Sequence, residues 1–289
     1  MLFSFRLAYI LGSATHKSHP SPSLSEAACL DRPFVFHCNR PPVSTSSHIA
    51  NIYNRDTQQL CRYANSSSAR FVVSWGDRVE FNIPLVAKAR KINNSMVVVA
   101  PLNVQRHWSL PHMNDVEWRT KKPELVWRGT TTGSGLRKRY VDELSARGYD
   151  VKFNSVCQGK HNWRTNPITN RTNMAPSMSM DAMLRYKYLL VLEGNDVATG
   201  LKWAMKSNSV VVMPRPTKET WLLEGLLVPY VHYVPLDDPR DVDTTVAWMK
   251  ANDRACQKIS ANAGAWLRDI MNVSVQNALL RRVMNYVTF

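Results

Sequence analysis

Apolar residues in the second half of the chain come in short blocks, each closed by turn-forming residues. Residues 188–192 stop at Glu193-Gly194-Asn195-Asp196, residues 210–213 stop at Pro214, and residues 231–234 stop at Pro235. Between the first two blocks, Val197, Leu201, Ala204 and Met205 fall on one helical face. The order strand, turn, helix, strand, helix, strand is that of a parallel α/β sheet. Ligands of such sheets sit outside the carboxyl ends of the strands.

The same patterning extends upstream. Strands are predicted over 71–75, ending at Gly76-Asp77, over 96–100, and over 125–128, with one short strand over 34–37. Residues 49–66 read as a helix, 84–93 fit neither period, and 103–123 are loop-like. The strand at 125–128 opens into Gly129-Thr130-Thr131-Thr132-Gly133-Ser134-Gly135. A helix over 136–147 follows with Gly148 as its stop, then a strand over 149–153. A long loop covers 154–180, and two amphipathic helices, 241–251 and 253–271, come near the end. This divides the chain into a poorly ordered Ser/Pro/His-rich lead-in (1–48), a partial front lobe (49–122), a rear lobe (123–272) and a C-terminal helix or tail (273–289).

Composition narrows the class. The 289 residues are 44% hydrophobic and 20% charged, which suits globular lobes rather than a disordered chain. The net charge of +15 suits anionic ligands. Its cations are scattered, and the densest run, Arg137-Lys138-Arg139, lacks the aromatic interleaving of a nucleic-acid-binding sheet, so no nucleic-acid partner is expected. Five cysteines show no metal-knuckle spacing, and Cys29 and Cys38 could bridge in a secreted protein. Four N-x-S/T sequons stand at Asn65, Asn93, Asn170 and Asn272. No run is long enough to span a bilayer, so membrane attachment would need an anchor outside this chain. The expected compartment is the secretory lumen for a eukaryotic source and the cytoplasm otherwise.

Two strand-to-helix turns carry the candidate chemistry. Arg128, ahead of Gly129 and Thr130, is a permanently charged, bidentate donor of the kind that suits a diphosphate. At the second turn Asp196 fits an N-cap of a helix starting at Val197 or a hydroxyl acceptor, and Lys202 lies in the second helical turn. Glu224 fits either a ribose-hydroxyl acceptor or a surface carboxylate. His232 and Tyr233 stand at the end of the last strand, while Trp127 and Trp203 are assigned to the core.

The segments 122–133, 186–196, 201–203, 207–214, 221–225, 228–236 and 246–263 resemble glycosyltransferase family 90, the capsule-associated and protein O-glucosyltransferase-like group. Upstream, 73–77 and 100–108 are similar to its front-half landmarks. The resemblance covers roughly 70–272 in unbroken order. It implies an α/β, GT-B-like fold, two Rossmann-like lobes facing across a cleft, here with a short front lobe. It also implies a UDP-sugar co-substrate, no further cofactor, no obligatory metal, and inversion at the anomeric carbon. The family's acidic base maps onto Asp77, its Arg-Gly onto Arg128 and Gly129, its donor turn onto Gly194, and its helix lysine onto Lys202. Thr130, Asn195, Asp196, Thr199, Glu224, His232 and Tyr233 complete the expected donor side, and Arg106 and His107 the acceptor side. Gly200 departs from the pattern, standing where relatives carry a larger polar or basic side chain.

The expected reaction moves a hexose or pentose, glucose or xylose first among them, from a UDP-sugar to a hydroxyl of a protein or glycan. The alternative is a catalytically impaired nucleotide- or glycan-binding relative. The distinction rests on two jobs: a base at the acceptor and positive charge at the leaving diphosphate.

Overall fold

The computed structural model describes residue 10 and residues 33–39, 48–133, 135–157 and 171–289. Most of the expected lead-in, Cys29, the sequon at Asn170 and the middle of the 154–180 loop lie outside the described residues. The chain is mixed α/β and divides into two compact units: residues 1–109, 217–225 and 268–289 form the first, and 110–216 with 226–267 form the second.

In the second unit five strands make one wholly parallel sheet: β6 (Lys122–Thr130), β7 (Asp150–Ser155), β8 (Tyr186–Leu190), β9 (Val210–Met213) and β11 (Val234–Pro235), in the order β11-β9-β8-β6-β7. β9, Val-Val-Val-Met, is buried at every position, as a strand covered on both faces must be. Helix α3 (Leu136–Ala146) packs Tyr140, Val141 and Leu144 into the same core as Leu125, Val151, Tyr188 and Val212. Helices α6 (Val242–Ala251) and α7 (Asp253–Met271) add Val246, Met249 and Ile259. The sequence order of the strands reverses direction between β6 and β8. That reversal is the point where open α/β sheets take their ligands.

The first unit has a smaller sheet, β1-β2-β3-β5, of β1 (Pro33–His37), β2 (Arg70–Ser74), β3 (Leu85–Ala87) and β5 (Val97–Val99). β2, β3 and β5 are parallel, and β1 runs against β2. Helix α1 (His48–Leu60) buries Tyr53 and Leu60, and a disulfide joins Cys38 to Cys61 just beyond it. Cys38 therefore pairs with Cys61 rather than Cys29, because β1 and the end of α1 bring their Cα atoms to 5.5 Å.

The stretch 84–93 resolves as two three-residue strands, β3 and β4 (Ala89–Lys91), too short to show a period. β4 pairs with β10 (Lys218–Thr220) through a buried Arg90–Glu219 ion pair at 2.7 Å. No α-helix fills the space between β9 and β11 that the sequence pattern predicts as helical. β10 and a 3-10 turn, Glu224–Leu226, stand there instead. Strand pairing to β4 carries this insertion into the first unit. The C-terminal helix α8 (Val273–Val287) also belongs to the first unit, burying Leu279, Leu280, Val283, Met284 and Val287.

Candidate active site

β6 and β8 are hydrogen-bonded neighbours, so the turns that follow them meet at the carboxyl edge of the second unit's sheet. Gly133 donates its N–H to Asn195 Oδ1 at 3.1 Å and has φ +94°, a backbone state that strains any side chain. A Cβ on Gly133 would also stand 3.1 Å from the backbone of Gly194.

Arg137, in the first turn of α3, grips both turns. Its guanidinium donates to the carbonyls of Glu193 and Leu192 at 3.1 Å each and of Thr130 at 3.0 Å, and to Thr132 Oγ1 at 2.6 Å. Burial lowers its pKa to about 10, against the opposing pull of Asp196 and Cys157, so it remains a cation at neutral pH. Gly194 is glycine for the same reason, since a Cβ there would lie 3.0 Å from Arg137 Nη2 and 3.2 Å from Thr132 Oγ1. In the sequence Arg137 stands within the basic run 137–139. Its signal is an arginine directly behind a Gly-rich strand-to-helix turn.

Arg128 is engaged along the strand instead. It forms an ion pair with Asp150 at 2.6 Å and donates to the carbonyls of Trp127, Asp150 and Pro176. Gly129 is forced by Trp127, whose ring would be 2.3 Å from an added Cβ. Trp127 is core, as assigned from sequence, and Trp203 is half-buried. Thr130 Oγ1 lies 3.2 Å from Thr132 Oγ1.

The expected helix start at Val197 does not form. Helix α5 (Leu201–Lys206) has only six residues and begins behind Gly200. Residues that would cap an earlier start are used elsewhere: Asn195 Oδ1 holds Gly133, and the buried Asp196 interacts electrostatically with Arg137. Thr199 is half-buried and Lys202 is buried. Gly200 has little room for a side chain, with Trp203 Nε1 3.2 Å from a Cβ.

His232 and Tyr233 lie in the second unit, in the loop entering β11. His232 Nδ1 accepts the Val228 N–H at 2.9 Å, its ring lies 5.2 Å from Trp266, and burial lowers its pKa. Tyr233 is buried, which pushes its phenol up to about 12. Glu224 belongs to the first unit. Its carboxylate accepts the Thr220 N–H at 2.6 Å and the Thr220 hydroxyl at 2.9 Å, closing the turn after β10.

The first unit carries its own polar cluster. Asp77 follows β2, Lys88 follows β3 and Asn103 follows β5, so all three stand at carboxyl ends of parallel strands. Lys88 Nζ lies 2.6 Å from Asp77 Oδ1; the lysine is 1% exposed and the aspartate 39%. Tyr53, from α1, donates to the Gly76 carbonyl at 3.2 Å and presents its ring 5.9 Å from Lys88 Nζ. Burial raises the Tyr53 pKa, against the charge of Lys88 and hydrogen bonds from Lys88 and Asn103. Arg106 is exposed and His107 buried, both on the one-turn helix Val104–His107, whose first amide is held by Asp56 Oδ2 at 2.8 Å.

Among the described residues no group of three or more His, Cys, Asp or Glu is placed to hold a metal ion, and no helix is long and apolar enough to cross a membrane. A parallel sheet whose two glycine turns are joined by a buried cation, and in the first unit a half-exposed carboxylate held by a buried lysine, mark an α/β protein with polar clusters at the carboxyl ends of its parallel strands. Comparison with known proteins gives the particular class. The chain belongs to glycosyl transferase family 90, whose sequence profile matches residues 95–286, and it is a glycosyltransferase by that membership. It is 32% identical over 268 residues to the O-glucosyltransferase LpsA of Dichelobacter nodosus, covering 90% of this chain and 78% of that protein. It is also similar to the uncharacterized protein 027R of Frog virus 3, 28% identical over 169 residues, which make up 50% of this chain and 17% of the viral protein.

Proposed function

We propose that this protein is an inverting, UDP-sugar-dependent glucosyltransferase acting on a hydroxyl of a glycan or protein, within a GT-B-like architecture. The observation that carries the reading is the pair of turns after β6 and β8, pinned by a cationic Arg137 where the strand order reverses. The diphosphate lies against those turns, and the fixed positive charge beneath them stabilises the leaving group as its negative charge develops. Lys202 adds to that field. Glucose is the preferred sugar because the relative matched over most of its length is named an O-glucosyltransferase, with xylose as the second donor to try.

Asp77 supplies the base. Its carboxylate takes the acceptor hydroxyl proton while the oxygen bonds to the anomeric carbon. The bond from that carbon to the phosphate oxygen breaks on the opposite face, and UDP leaves with the bonding electrons. Arg106 and His107 are the acceptor-side candidates carried over from sequence. Asn195, Thr199, His232 and Tyr233 are the donor-side ones. Arg128, tied to Asp150, would serve the turn only by shaping β6.

The test is a nucleotide-sugar panel read by UDP release, with UDP-glucose expected to give the highest turnover. D77N should lower kcat by about 10²- to 10⁴-fold, the range a positioned base contributes, with UDP affinity unchanged. Near-normal transfer by D77N removes Asp77 from the role. The crowding of Gly200 by Trp203 favours a second reading, nucleotide binding without transfer. That reading requires thermal stabilisation by UDP with no turnover on any donor.

A further inference from the structure

We propose that Lys88 is the positioning residue of Asp77, holding the carboxylate ionised and correctly turned at the carboxyl edge of the first unit's parallel strands. The inference rests on Asp77 as the base. A buried ammonium is costly unless paired, and Lys88 reaches Asp77 at 2.6 Å while 1% exposed. Its place is fixed by its neighbours, since it is the single residue between β3 and β4, with Ala87 and Ala89 both buried on either side.

Tyr53 makes the third wall. Its ring lies 5.9 Å from Nζ, and its hydroxyl is anchored on Gly76, the residue preceding Asp77. The lysine therefore faces a carboxylate and an aromatic face together. Lys88 and Tyr53 both act on the site of Asp77, and, one turn further along α1, Asp56 accepts the Val104 amide. The adjoining Arg78 turns to the Glu80 carbonyl and the Phe81 ring.

This arrangement has two opposed effects. The ammonium fixes one carboxylate oxygen, which favours attack geometry. It also makes the carboxylate a weaker base, because protonation gives up its attraction to a buried ammonium 2.6 Å away. Removing Lys88 should therefore lower kcat and at the same time move the acid limb of the rate profile to higher pH. A lysine that only supported the fold would not produce that combination.

The experiment compares wild type, K88M, K88Q and K88R by pH profiles of kcat and kcat/KM for transfer. Alongside, carbon-13 NMR titrates the Asp77 carboxyl in the resting protein, assigned by its absence in D77N. K88M should lose about 10- to 100-fold in kcat, bind UDP within twofold of wild type, and raise both the acid limb and the NMR midpoint by about one pH unit or more. K88Q, which keeps a donor without charge and serves if K88M does not fold, should show the same upward movement with a smaller loss of kcat. K88R should return the midpoint towards wild type. An unmoved NMR midpoint in both neutral variants overturns the proposal. A midpoint that moves while the rate profile stays fixed keeps the pairing but shows that Asp77 is not the base, and the catalytic role of Lys88 falls with it.

Discussion

His232 shows what a single half-buried imidazole does to a loop. Its Nδ1 accepts the Val228 amide, so the ring is held neutral with its proton on the other nitrogen, and burial lowers its pKa below the usual value near 6.5. The unfolded chain takes up the proton first as pH falls. The stabilisation is thus complete above about 6.5 and is lost as pH drops through the folded-state value. H232N keeps an acceptor near the same place and cannot titrate. The melting temperature of wild type relative to H232N should be level above about pH 7 and fall as pH drops below about 6.5 towards 5, and a constant difference across that range would exclude His232 as the cause. Neighbouring Tyr230 holds φ +60° and rests edge-on against Trp248, so the Val228 contact fixes a loop whose backbone is already unusual.

At the scale of elements, the turns after β6 and β8 act as one unit because a single guanidinium spans them. R137M removes the cation but leaves the carbonyls of Leu192, Glu193 and Thr130 in place with fewer partners. The expected cost is about 3 kcal/mol or more, read from the urea midpoint of the second unit. Amide exchange at Gly133 should accelerate, and UDP affinity should fall with it. Unchanged exchange at Gly133 would show that the turns hold without Arg137. Much of this region was legible in the sequence. The block 210–213 coincides with β9, and the helix expected over 136–147 is α3 to within a residue, because those segments obey one period and end at Pro or Gly. Arg137 was hidden because its role depends on β6 and β8 being adjacent, which no local pattern encodes. The expected helix start at Val197 fails because Asp196, its expected cap, is buried beside Arg137, and the helix begins behind Gly200 instead. Lys88 is hidden for a similar reason: a three-residue strand has no readable period, so nothing in the sequence marks its neighbour as buried.

The whole molecule is two units threaded by one chain that returns twice to the first. The returns have a physical basis. β10 pairs with β4 over the buried Arg90–Glu219 ion pair, and α8 buries five apolar side chains. At the chain's end the Phe289 amide and carbonyl both bond to Arg70 on β2, and Tyr63 Oη donates to Asn277 at 2.7 Å. A C-terminal helix of this kind is a structural part of the first unit, although from sequence it reads as a tail behind the rear lobe. Ending the chain after residue 272 removes all five apolar side chains. At roughly 1.5 to 3 kcal/mol for each large one, the loss exceeds what a small sheet of three- to five-residue strands can spare. The first unit should therefore lose its protection against amide exchange in β1, β2 and β3, while β6, β8 and β9, which draw on a separate core, keep theirs. Transfer should disappear with the first unit, because Asp77 stands there, while UDP should still protect the turns after β6 and β8. Equal loss of protection in both sheets would mean that the two cores fold as one cooperative body, and the assignment of α8 to the first unit alone would fail.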